Sequence, residues 1–170
     1  MLAIFVKIIK NIKIMKKSIV LLLLSMVLFS CKTQTVTNAK LDTKSEVAIK
    51  GNWAIGSVTY PGSEYIKVTS FDLADSKCLV GSNWKFVSNN NKGNMALNSP
   101  TCTPFTSPIT WFINKDGEFV MKILDNQKAK KVTSGYVLRV ANQTEISFQL
   151  IDKMDVGGKI VDVTYTFNRI

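Results

Sequence analysis

Between Gly51 and Ile170 the chain is cut into short runs in which apolar and polar residues alternate, each run closed by turn residues. A period of two belongs to an extended strand with one buried and one wet face; the apolar face of a helix repeats every three to four residues instead. Nine such runs can be marked, at 53–60, 65–71, 84–88, 94–98, 109–113, 118–124, 135–141, 145–151 and 160–168. The connections carry the matching chemistry: Pro61-Gly62-Ser63, Asn89 to Gly93, Asn114-Lys115-Asp116-Gly117, Asn142-Gln143-Thr144 and Asp155-Val156-Gly157-Gly158. Asp-Gly is the strongest hairpin signal among them, because both residues tolerate the positive φ of a tight turn.

Consecutive hairpins without long crossovers make an all-β, up-and-down antiparallel meander. Its exposed edges are removed by closing it into a barrel. An all-antiparallel barrel needs an even number of strands, so eight of the nine runs are expected to form it, and either 65–71 or 94–98 is the extra one. The 120 residues of this region are one domain's worth and bury a full core.

Upstream, Met15 to Cys31 reads MKKSIVLLLLSMVLFSC: a basic head, an apolar run from Ile19 to Phe29, and a small residue before a cysteine. That is the order of an export signal, and the run is shorter than the roughly 20 apolar residues that span a bilayer. Residues 1–30 are expected to be the signal, with 1–14 either an overlong basic head or upstream of a true start at Met15. Residues 31–50 are rich in Thr, Lys, Asn and Gln without periodicity and read as a flexible tether. The barrel follows at 51–170.

Charge narrows the function classes. The chain holds 22 Lys and Arg against 12 Asp and Glu, a net of +10. Five of those lysines and none of the acids lie in the first 30 residues, so the rest carries 17 against 12, a net of +5. A surface this mildly basic is not a nucleic-acid footprint, which needs clustered Lys and Arg with aromatic platforms. Lys128, Lys130 and Lys131 form the tight basic group, read as a solvated loop with anionic lipid headgroups as the alternative contact. Catalysis is not expected: the chain has no His to build a conventional triad, and Asp72, Asp75, Asp116, Asp125, Asp152 and Asp155 sit where turns want them. No cofactor or metal is expected.

Cys78 and Cys102 lie in irregular connections with two runs between them, so both return to the same end of the barrel. In an oxidising compartment they can pair, closing a loop of about 24 residues for roughly 3 to 4 kcal/mol on the chain-entropy model. A metal or redox pair is the alternative, although the spacing fits no zinc pattern.

Two resemblances now carry names. Leu28-Phe29-Ser30-Cys31 resembles a bacterial lipobox, which implies a diacylglyceryl group on the Cys31 sulfur and a membrane anchor of palmitate-class acyl chains. Gly51-Asn52-Trp53 looks like the Gly-x-Trp entry of lipocalins, and Thr164 to Arg169 resembles their last strand with its terminal Arg. The resemblance implies that Trp53 and Arg169 stack at the closed base of the barrel, a cation–π contact of about 0.5 to 2 kcal/mol. Taken together, the chain is similar to the short lipocalin-like lipoproteins of Bacteroidetes. In envelopes of that kind the absence of acidic residues after Cys31 implies the periplasmic face of the outer membrane. Inward-facing Trp111, Met121, Tyr136, Leu138, Phe148 and Tyr165 would then line the interior, with the two phenol hydroxyls orienting a polar head, while Arg139 would face out. Two readings stay open: a calyx for a lipid or other small hydrophobic molecule, or a filled barrel working as a structural or accessory envelope protein through protein partners.

Overall fold

The computed structural model describes residues 46–125 and 127–170. The expected signal, Cys31 and most of the expected tether lie outside the described residues. Eight strands close into an antiparallel barrel: β1 (Gly51–Thr59), then, after two short strands, β4 (Asn83–Val87), β5 (Lys92–Leu97), β6 (Phe105–Ile113), β7 (Glu118–Ile123), β8 (Tyr136–Ala141), β9 (Ser147–Val156) and β10 (Lys159–Arg169). Each pairs with its neighbours in sequence, and β1 closes the ring between β4 and β10. The expected up-and-down eight-stranded meander is therefore the fold, and no barrel edge is left unpaired. A register shift between Ile55 and Ser57 marks a bulge in β1.

The ninth run is 65–71. Only Thr69–Ser70 (β2) is extended there, and it pairs with Ala74–Asp75 (β3) in a two-residue ladder of its own. Phe71 and Asp72 take left-handed conformations, φ 55° and 49°, which turn the chain back before it can join the barrel. Run 94–98, the other candidate for exclusion, belongs to β5. Its upstream turn is shorter than the sequence suggests, because Gly93 is a strand residue rather than part of the turn. Gly93 faces Phe86 and Ile109 in register, and a Cβ there would run into the Lys85 carbonyl oxygen and the Ile109 side chain, so the position calls for glycine by close approach.

Residues 46–49 form a helical turn rather than the end of a loose tether. Ile49 is fully buried, its carbonyl accepts the Trp53 indole N–H at 2.7 Å, and Glu46 Oε1 accepts the Ile113 N–H at 3.0 Å. The folded unit thus begins by Glu46 rather than at Gly51. This turn covers the base, where the Arg169 guanidinium lies 4.4 Å from the Trp53 ring centroid and Trp53 and Arg169 are register partners. Above it the interior is a column of rings. Phe148 stacks on Phe167 at 4.6 Å and meets Trp53 edge-on at 4.7 Å, while Phe86 touches Trp111, Phe119, Phe148 and Phe167 at 5.3 to 6.4 Å. Such pairs add about 0.5 to 1.5 kcal/mol each beyond area burial.

Candidate functional site

Trp111, Met121, Leu138 and Phe148 are each 1% exposed, Tyr165 is fully buried, and Tyr136 is partly buried at the rim. Trp111, Met121 and Tyr136 are joined in one cross-strand row over β6, β7 and β8, and Phe148 and Tyr165 sit opposite Phe167 and Leu150 on β9 and β10. Arg139 faces out, 3.6 Å from Asp162, an exposed pair of small energetic weight.

The far end of the barrel from Trp53 is the mouth, where residues 60–82 cross as a strap. The Cys78–Cys102 disulfide, 2.04 Å between sulfurs, ties the strap to the connection between β5 and β6. The strap lays Phe71 into the barrel: its ring is 5% exposed, 5.1 Å from both Tyr136 and Tyr165 and 6.2 Å from Trp84. Both phenols hold it there. Tyr136 donates to the Phe71 carbonyl at 2.6 Å, with Asp72 Oδ2 at 3.3 Å. Tyr165 donates to Ser70 Oγ at 2.6 Å; Ser70 and Ser76 hydroxyls share a 2.6 Å bond, and Ser76 donates to the Val68 carbonyl at 2.7 Å. The hydroxyls expected to meet a ligand's head are therefore occupied by the strap itself. Beside the strap a cleft of about 580 Å³ opens between Leu73, Cys78, Leu97, Cys102 and Phe105. Grooves of about 360 and 540 Å³ lie on the outer face of β4 to β6 and belong to the surface instead.

Asp152 corrects the sequence reading. It is not a turn residue: it lies in β9, register partner of the fully buried Val163, on the same face as Phe148 and Leu150. The alternation does not end at Ile151: Met154 and Val156 continue the inward parity, and Asp152 shares it. Burial pushes its carboxyl pKa up, and the Asp72 carboxylate adds to the rise against a lowering bond from the Lys153 backbone N–H. Burial likewise lifts Tyr136 to about 12, with Asp72 and Asp152 contributing, and raises Tyr165, with Asp152 contributing against the bond to Ser70. Asp155 does serve its turn, accepting the Gly158 N–H at 2.7 Å. The residues sequence reasoning missed are thus Ser70, Phe71, Asp72, Ser76 and Asp152. All but Asp152 belong to the strap, whose alternation imitates a strand.

Among the described residues no group of three or more His, Cys, Asp or Glu could hold a metal, and no helix is long and apolar enough to cross a membrane. No family model matches the chain, and no curated protein matches it. Among solved structures, lobster apocrustacyanin A1 aligns with 80% of this chain and 70% of its own, at 11% identity and a TM-score of 0.47.

Proposed function

We propose that this is an envelope lipoprotein, anchored through acyl chains on Cys31 and facing the periplasm from the outer membrane, whose barrel takes up a small hydrophobic molecule behind a displaceable strap. The observation that carries the binding half is the identity of the plug. The upper interior is closed by Phe71, a residue of the strap and not of the barrel wall, held by hydrogen bonds and a disulfide rather than by the sheet. Withdrawing it costs a few hydrogen bonds, each about 0.5 to 1.5 kcal/mol, and the burial of one ring, about 1.5 to 3 kcal/mol, and leaves the barrel ladder whole. The anchoring half rests on the Met15 to Cys31 sequence.

A second reading has its own observation. The lower interior is packed ring on ring, from Trp53 through Phe148 and Phe167 to Phe86, which suits a filled barrel working through a protein partner. Native mass spectrometry of the protein purified from its envelope separates the two. A lipid-sized adduct, lost when Phe71 is replaced by Trp to wedge the mouth shut, is the expected result. Adduct-free protein that instead retains a stoichiometric protein partner would overturn the binder. The intact mass of the mature amino end tests the anchor independently, since acylated Cys31 is expected there.

A further inference from the structure

We infer that the space Phe71 fills is an aromatic cage for an organic cation, so that the molecule this barrel takes is an amphiphile with a quaternary or protonated tertiary ammonium head. The inference rests on the reading of the barrel as a gated binder and adds the chemistry of the head. Three rings from three different strands, Trp84 of β4, Tyr136 of β8 and Tyr165 of β10, surround the single ring of Phe71 at centroid distances of 5.1 to 6.2 Å. Tyr165 meets that ring face to face, at 27°, and Trp84 and Tyr136 meet it edge to face, at 65° and 71°. A cation within about 6 Å of a ring face is attracted by its quadrupole, Trp and Tyr being favourable walls. The Phe71 ring is an uncharged stand-in of similar bulk, in contact with the same walls.

The charges agree. Asp152 is a charged side chain at an inward position of β9, and the strap brings Asp72 to within 3.3 Å of the Tyr136 hydroxyl. The cations stand apart from it: Arg139 points out to Asp162, Arg169 is at the other end over Trp53, and Lys159, on the inward parity of β10, is exposed at the start of that strand opposite Val156. The lifted carboxyl of Asp152 fits a half-buried acid short of counter-charge. A fatty-acid anion would bring a second carboxylate to the barrel wall beside Asp152, whereas an ammonium would neutralise it. The strap also adopts a costly backbone to deliver its ring, since Phe71 and Asp72 are consecutive non-glycine residues at positive φ.

The test compares three probes of one chain length below their micellar concentrations: decyltrimethylammonium, 1-decanol and decanoate. Binding is read by titration calorimetry and by the emission of Trp84 and its neighbours, in the wild type, Phe71→Ala and Asp152→Asn. Phe71→Ala is expected to bind decyltrimethylammonium about tenfold tighter than the wild type does, and about tenfold tighter than it binds decanol, with decanoate weaker still. Asp152→Asn is expected to remove most of the preference for the cation over decanol. Phe71→Gly, which empties the cage and suits the positive φ of this position, serves as the opened variant if Phe71→Ala does not fold. Decanol or decanoate binding an opened variant as tightly as the cation would overturn the head-group inference and leave the hydrophobic binder standing. No binding of any probe to any variant would remove the binder reading and this inference with it.

Discussion

Asp152 is a carboxylate on the face of β9 that buries Phe148 and Leu150, and its cost has a sign that pH can read. A carboxyl whose pKa is raised on folding holds its proton more tightly in the folded chain than in the unfolded one. Stability therefore falls as pH rises from the ordinary aspartate value through the raised one, then levels off. Asp152→Asn is expected to melt above the wild type at pH 7, and the advantage should vanish below the unfolded value of roughly 3.9. Equal gains at pH 3 and pH 7, followed by circular dichroism, would mean that packing and not charge is responsible. At this scale the sequence was legible wherever alternation continued unbroken, as at Trp111, Leu138 and Tyr165. It was illegible where a polar residue took an inward place, because a pattern of apolar positions has no symbol for a buried acid.

The strap is the element on which the proposed function turns. Its run of alternating residues, Tyr65 to Phe71, has a strand's pattern without a strand's backbone, since only Thr69–Ser70 is extended. Here Val68 and Phe71 go in, while Tyr65 is 88% exposed. What a period of two cannot convey is whether a neighbouring ladder exists to receive it. The cysteine spacing, by contrast, was legible through topology alone: two strands, β4 and β5, separate the two connections, and the bridge forms at the mouth. Cys78→Ala with Cys102→Ala is expected to lower stability by about 3 kcal/mol. In hydrogen exchange the amides of residues 60–82 should lose protection first, with those of β6 and β7 unchanged. Strap amides that exchange no faster than before would show that Tyr136 and Tyr165 hold it without the bridge.

For the molecule as a whole, closure between β1 and β10 has a mechanical consequence. Gly51 and Ile170 meet at the same end, with the Ile170 N–H donating to the Asn52 carbonyl at 3.1 Å and Trp53 in register with Arg169. The ladder joining them is antiparallel, so its bonds lie across the strands and a pull from the two ends loads them one after another. Tension applied there should peel the seam open like a zipper, at low force, in single-molecule stretching between handles on residues 51 and 170. Handles on residues 51 and 159 should instead load the seam in shear along its whole length and need a much larger force. Equal forces in the two geometries would show that the ring-packed interior, and not this seam, sets the barrel's strength. The mouth, at the opposite end and cross-linked by its own sulfurs, would be the last part to feel the strain.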